Sequence, residues 1–327
     1  LYKKSGGKIF NTSEDKIWEV ADIVFCVQPP SEINLNKLKK GAILLGLLNP
    51  YSNDKLLKII INNKISALSL ELLPRISRAQ SSDVLSSQAN IAGYKAVLLA
   101  ASELDRYFPM LMTAAGTVQP AKVVVLGGGV AGLQAVATAK RLGAIVFVSD
   151  IRPAVKEQVE SLGARFIELP EINEKPGEAG GYAKAVTPEF LSKQKATLTK
   201  YLAEADVAVC TAQVLGKKAP LLIDSQMLEK MRAGSVVIDL AVSQGGNCEG
   251  TKSNKTIIRN GVKLIGAGEL PSSVPYDAST LYAKNLTSLI TPFVIDGVIN
   301  LDKEDELIAG CLLSDEGVIL QNKVFEK

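Results

Sequence analysis

Three glycines and one acid carry the strongest chemical signal in this chain. Gly127, Gly129 and Gly132 fall at the GxGxxG spacing, and Asp150 follows Gly132 by 18 positions. A turn of this kind can seat a pyrophosphate. Gly127 permits a tight exit from a strand, Gly129 removes the Cβ where a phosphate approaches the backbone, and Gly132 lets a helix pack closely. The free N–H groups and positive dipole end of that helix then face the phosphates. Asp150 is placed to accept from the hydroxyls of an adenosine ribose and to repel a 2′-phosphate, which favours NAD(H) over NADP(H). Arg152, two residues on, is a mild signal the other way. A bare GxGxxG also occurs in loops that bind nothing, so the flanking pattern has to carry the reading.

That pattern is present. Lys122 to Leu126 is a β-branched run suited to a strand buried on both faces. Val130 to Arg141 has helix formers with apolar residues on one side, and Ile145 to Val148 is a second buried strand that Asp150 terminates. Strand, glycine turn, helix, strand and acid are in register for a dinucleotide site; the bland alternative is a structural βαβ turn.

Three further polar stretches stand where α/β proteins hold ligands, beyond strand ends. Pro74 to Gln88 carries Arg75, Arg78, Gln80 and Asp83 among serines, and a solvated connector explains it equally well. Glu171 to Thr187 is too polar and glycine-rich for core, and Gly180-Gly181-Tyr182 at its tip suits a lid over a cofactor, or a floppy insertion. Ala241 to Glu249 (AVSQGGNCE) follows the buried run Ser235 to Leu240, and Gly245-Gly246 offers bare backbone where a nicotinamide could lie.

The remaining elements alternate. Short apolar runs at Ile23 to Val27, Ala42 to Leu47 and Ile65 to Leu70 read as parallel strands, with helices at Glu32 to Lys40 and Asn53 to Asn62, the second capped by Asn53. Asn90 to Tyr107 is a long helix. After Asp150 follow a helix at Val155 to Leu162, a strand at Arg165 to Leu169 and a helix at Glu189 to Ala205. A strand at Val207 to Thr211, a helix at Ser225 to Met231 and a last strand at Val262 to Ile265 complete the set. Asp277 to Ile290 is a returning helix, and Cys311–Leu313 and Val318–Leu320 flank a turn. The expected fold class is α/β: two Rossmann-like βαβ domains with parallel sheets, joined by long helices, with the cofactor in the cleft between them. Residues 1–88 and 292–327 form the first domain, 89–110 the linking helix, 111–276 the nucleotide domain and 277–291 the returning helix.

Composition narrows the chemistry. With 327 residues, 47% hydrophobic, 22% charged and a net charge of +3, the chain suits a soluble two-domain α/β protein. It has no basic stripe or RGG-like tract, so nucleic acid is not an expected partner. Four dispersed cysteines, Cys26, Cys210, Cys248 and Cys311, offer no CxxC pair, hence neither a zinc site nor a disulfide framework. The uncharged run Val123 to Ala139 is broken by four glycines and reads as the nucleotide turn, not a membrane span. The opening at Leu1 looks like mid-domain sequence, so a fragment is expected. Most informative is a zero: the chain has no histidine. The side chain most used for proton transfer at neutral pH is missing, so the chemistry must proceed otherwise, or need no proton relay.

Several segments resemble one family. PRISRAQSSDVLSSQANIAGYKAV, GGGVAGLQAVATAKRLGAIVFVSDIRP, KEQVESLGARF, GGYAK and VIDLAVSQGGNCE are similar to the NAD(H)-binding component of proton-translocating NAD(P) transhydrogenase, over nearly the whole chain. The family's opening strand–helix unit is absent, and alanine dehydrogenase is a related family. The resemblance implies that Arg75, Gln80, Asp83 and Ser86 surround the nicotinamide and its ribose. It also implies that Asp150 holds the adenosine ribose and that Tyr182 sits on a loop folding over the nucleotide. The cofactor contacts expected on this footing are Gly127, Gly129, Val130, Ala131, Gly132, Asp150, Ile151, Arg152, Tyr182, Ala212, Asp239, Gly245 and Gly266, with no metal. The chain departs from the family at Gln213, Val214, Leu215 and Lys218, and at Ala267, where a His or Tyr is common.

Alanine dehydrogenase makes and breaks an imine and uses a His and an Asp as proton-transfer groups. Here no His exists, and Ser243 replaces the Asp of its DQGG motif. Direct hydride transfer between two nicotinamides needs no general acid or base, which suits this composition. The resemblance therefore implies NAD(H) bound here, NADP(H) on a partner component, a separate membrane component that moves protons, and a homodimer. It places the protein peripherally on the cytoplasmic face of the inner membrane, or on the mitochondrial matrix side. The alternatives are an alanine-dehydrogenase-like enzyme and a non-catalytic NAD(H)-sensing module.

Overall fold

The computed structural model describes residues 2–10, 16–169, 188–321 and 324. The chain forms two compact units, Leu1–Leu85 with Tyr282–Lys327, and Ser86–Leu281. Both are α/β with largely parallel sheets.

In the second unit seven strands share one sheet. Their order is Thr256–Arg259, Val262–Gly266, Val236–Asp239, Val207–Cys210, Lys122–Leu126, Ile145–Ser149 and Arg165–Phe166. All pairings are parallel except the first, which is antiparallel. From Lys122–Leu126 the chain runs outward through two strands, then returns to place Val207–Cys210 on the other side. The order reverses between those two neighbours, so their carboxyl ends form the topological switch point where α/β sheets hold ligands.

Alternation along each strand sends side chains to both faces. Val123, Val125, Val207 and Val209 pack with Ala96, Val97, Ala100, Ala135 and Val136 from the helices Val84–Glu103 and Val130–Arg141. Val124, Leu126, Ala208 and Cys210 pack on the opposite face with Leu198 and Leu202 of the helix Pro188–Glu204. Both layers are apolar, which is why these strands read as continuous Val-rich runs rather than alternating ones.

The first unit holds a five-stranded sheet in the order Ile23–Cys26, Ile43–Gly46, Ser66–Ser69, Leu312–Asp315, Val318–Ile319. The first three strands are parallel, and the last two join antiparallel. Asn53 caps the helix Asp54–Asn62 as expected, its side chain accepting from the Leu56 N–H at 3.2 Å.

Several expectations are corrected. The long helix begins at Val84, not Asn90, and ends at Glu103. Much of Pro74–Gln88 is thus ordered: a 3-10 turn covers Ser77–Ser82, and the helix takes the rest from Val84. Val262–Gly266 is the last strand of its sheet in chain order, as expected, but Thr256–Arg259 precedes it as an unexpected antiparallel edge. Two hairpins, Leu111–Thr113 with Gly116–Val118 and Val294–Ile295 with Val298–Ile299, stand where the sequence pattern shows only connectors. Cys311 ends a short helix, Glu306–Cys311, and the tail strand starts at Leu312. Among the described residues no helix is long and apolar enough to cross a membrane.

Candidate functional site

The glycine turn leaves the sheet at the switch point. Gly127 has φ +105° and donates its N–H to the Ser149 carbonyl at 2.8 Å, binding the turn to the neighbouring strand. A Cβ there would lie 2.7 Å from Thr211 Oγ1, so the turn and the end of Val207–Cys210 approach closely. Thr211 Oγ1 donates to the Gly127 carbonyl at 2.8 Å and fixes that approach. Gly132 is needed for a reason nearer than the sheet: a Cβ would stand 1.9 Å from the Gly127 carbonyl oxygen.

Gly129 is different in kind. It is the N-cap of the helix Val130–Arg141, offers that helix no side-chain cap, and a Cβ on it would meet no heavy atom within 4 Å. Open space beside an uncapped first turn of a twelve-residue helix is what a phosphate requires. Val130, the first helical residue, is exposed, and Ala131 is half-buried. Ala131 has a second task, because a Cβ on Gly93 would come within 2.0 Å of its carbonyl oxygen. The two helices cross there at backbone distance. These residues fit a dinucleotide's pyrophosphate.

Asp150 stands at the end of the adjacent strand, but its carboxylate is not open as the sequence suggested. Oδ2 accepts from the Gly128 N–H at 2.7 Å and from Arg152 Nη2 at 2.8 Å. Oδ1 accepts from the Arg152 backbone N–H at 2.8 Å and from Arg152 Nε at 2.9 Å. The Asp150 side chain is only 5% accessible, against 44% for Arg152. Burial pushes the Asp150 carboxyl up, yet the Arg152 guanidinium and the two N–H donors outweigh it and hold it below the usual carboxylate range. Ile151, between them, is half-buried.

On the other side of the switch point, Asp239 ends the strand Val236–Asp239 and is fully buried. Its oxygens accept from the N–H groups of Ala241 (2.9 Å), Asn247 (2.9 Å) and Cys248 (3.1 Å), and from the Thr251 hydroxyl (2.8 Å). The cofactor contact expected of Asp239 is therefore replaced by a positioning role: its carboxylate shapes the loop. Gly246, at φ +80°, belongs to the same knot, since a Cβ would lie 2.8 Å from Asp239 Oδ2. Gly245, at φ +99°, closes a 3-10 turn, and the Lys218 stem lies against it. Gly266 is likewise explained locally, because a Cβ would meet the Lys252 carbonyl at 2.1 Å.

Asn247 is a positioning residue that the sequence pattern does not single out. Fully buried, it donates from Nδ2 to the carbonyls of Ala212 (2.9 Å) and Pro220 (2.7 Å) and accepts from the Ala212 N–H (3.1 Å). It thus ties the loop after Val207–Cys210 to the loop after Val236–Asp239, holding Ala212 beside the glycine turn. Its position after two glycines, in the loop that follows a strand-end Asp, is the available signal. Burial pushes Cys248 up to about 12 and Cys210 well above its ordinary value, so neither thiol here is a nucleophile.

In the first unit, Arg75 and Gln80 are exposed and Asp83 is half-buried. Arg78 pairs with Asp305, which also caps the helix Glu306–Cys311. Asn285 Nδ2 donates to the Ser81 carbonyl at 2.7 Å, and Pro74 sits where a Cβ on Gly310 would be 2.6 Å away. Ser86 lies in the first turn of Val84–Glu103, half-buried. Tyr182 and the stretch Glu171 to Thr187 lie outside the described residues. A cavity lined by Arg106, Tyr107, Pro109, Arg141 and Leu142 is far from this chemistry, at the amino-terminal ends of the strands.

Comparison with known proteins gives concordant matches. Residues 1–92 match the family model described as alanine dehydrogenase/PNT, N-terminal domain, and residues 96–322 that described as alanine dehydrogenase/PNT, C-terminal domain. The chain is 47% identical over 326 residues to an NAD(P) transhydrogenase subunit alpha of Rhodospirillum rubrum, covering 97% of this chain and 84% of that protein. The crystal structure of transhydrogenase from Sinorhizobium meliloti superposes with a TM-score of 0.83 at 38% identity, over 98% of this chain and 85% of the other. Alanine dehydrogenase 2 of Staphylococcus aureus is more distant, 29% identical over 88% of this chain and 72% of its own length.

Proposed function

Because the chain belongs to the alanine dehydrogenase/PNT family, we propose that it is the NAD(H)-binding alpha component of a proton-translocating NAD(P) transhydrogenase. In this reading hydride passes directly between NADH held here and NADP⁺ held on a partner component. The observation that carries it is the switch-point turn, with open space at Gly129, an uncapped helix and an acid at the adjacent strand end. The chain has one such fingerprint, so the second nucleotide is assigned to the partner.

The nicotinamide supplies the hydride, and the protein's task is to hold and shield it. Gly127, Gly129, Val130, Ala131 and Gly132 would seat the pyrophosphate, and Asp150 would receive the adenosine ribose. The knot of Asp239, Gly245, Gly246 and Asn247 would fix Ala212 and its loop at the nicotinamide half. Arg75, Gln80, Asp83 and Ser86 are assigned to orient the ring and its ribose, and Tyr182 to cover the nucleotide. Hydride transfer of this kind requires near-attack geometry in a site closed to water, and no proton donor. A chain without histidine meets that requirement. The membrane-embedded component would move the protons, with this component a peripheral homodimer on the cytoplasmic face of the inner membrane or on the matrix side.

The test is to mix the protein with the NADP(H)-binding component and follow reduction of an NAD analogue by NADPH. Turnover is expected, and Gln80→Asn should slow it by roughly tenfold or more while NADH still binds. Failure of the intact protein to turn over would remove the proposal. Alanine-dependent NADH formation without a partner would establish the amino-acid dehydrogenase reading instead.

A further inference from the structure

We propose that Arg152 competes with the ribose diol for Asp150, and so sets how strongly this site prefers NAD(H) over NADP(H). The inference rests on the reading of this turn as an NAD(H) site. A carboxylate has about four acceptor positions. On Asp150 two are taken by backbone N–H groups, those of Gly128 and Arg152, which the turn itself fixes. Gly128 is held in place from behind, since a Cβ would lie 2.3 Å from Val155 Cγ1. The other two are taken by one guanidinium fork, Nε on Oδ1 and Nη2 on Oδ2.

Those last two positions are the ones a vicinal diol needs, because its two O–H donors also sit side by side. The guanidinium lies on the solvent side of the pair, with its side chain nearly half accessible and that of Asp150 almost closed off. Ribose cannot reach the carboxylate until the fork swings out, and charge-assisted bonds from a cation are then exchanged for bonds from neutral hydroxyls. The exchange costs NADH affinity. A released Arg152 stays tethered two residues from Asp150, beside the 2′ position. There it offsets the carboxylate's repulsion of a 2′-phosphate, which a guanidinium fork recognises well. One side chain thus acts with opposite sign on the two nucleotides.

Fluorescence titrations with NADH and with NADPH on the intact protein test this, using Arg152→Ala and Arg152→Lys. Arg152→Ala should bind NADH roughly threefold to tenfold more tightly and NADPH more weakly by a similar factor. Arg152→Lys keeps the charge without the fork, so NADH should also tighten while NADPH changes little. If Arg152→Ala fails to give a cooperative melt, the lysine variant decides alone. Unchanged or weaker NADH binding in a folded variant overturns the competition while leaving the NAD(H) site intact. A wild-type protein that binds no NADH overturns both.

Discussion

At the scale of single residues the site is built from side chains whose polar atoms are already committed. Asp239 illustrates the cost: buried, with three N–H donors and one hydroxyl on its oxygens, it cannot be removed without stranding the donors. Asp150 is committed too, but through a partner that can leave. Because its carboxyl is held below the usual range, against burial, by Arg152 and the two N–H groups, it stays ionised well into acid. NADH affinity is therefore expected to be flat from about pH 8 down to about pH 5. A binding titration with a midpoint inside that window would show that the ribose acceptor is a different group. The Asp150–Arg152 relation is visible in the sequence only as adjacency. Which of the carboxylate's lone pairs the arginine takes depends on the backbone path through Gly128.

Among the secondary-structure elements, legibility follows the range of the forces. The strand Lys122–Leu126 and the helix Val130–Arg141 have the bounds read from sequence, because a β-branched run, a glycine turn and a helical stripe are all local signals. Thr256–Arg259 is invisible there, since its four residues become a strand only by pairing with Val262–Gly266. The helix Glu306–Cys311 is six residues long and owes its start to the Asp305 cap, too little pattern for periodicity to register. The ligand loops are locatable from sequence, but what fastens them is not: Asn247 acts on residues 35 and 27 positions away. The same scale gives a packing prediction. Gly93→Ala would place a methyl 2.0 Å from the Ala131 carbonyl, with backbone on the far side and no side chain to yield. A cost of about 1–3 kcal/mol is expected in denaturant unfolding. NADH affinity should fall with it, as the first turn of the fingerprint helix is pushed aside. Normal affinity at full stability would mean the crossing can open.

For the whole molecule, the missing histidines have a thermodynamic signature. The resolved shifts all lead away from neutrality. Asp150, Asp224, Asp305 and Asp315 are lowered against burial by their hydrogen-bond and ion-pair partners, and Cys26, Cys248 and Cys311 are pushed by burial to about 12. With no imidazole in the chain, folded and unfolded forms bind nearly equal numbers of protons between about pH 5 and 8. The melting temperature should be level across that window. It should decline in more acid solution, because a carboxylate lowered in the folded state stabilises above its unfolded pKa and loses that contribution as pH falls through the folded value. A melting temperature that changes steadily between pH 6 and 8 would contradict this.

The loop bearing Arg75, Gln80 and Asp83 is anchored by Asn285, Asp305 and Gly310, some 200 residues downstream. During translation, then, this loop leaves the ribosome long before the residues that clamp it. The unit encoded between them can close while the loop still waits to be fastened.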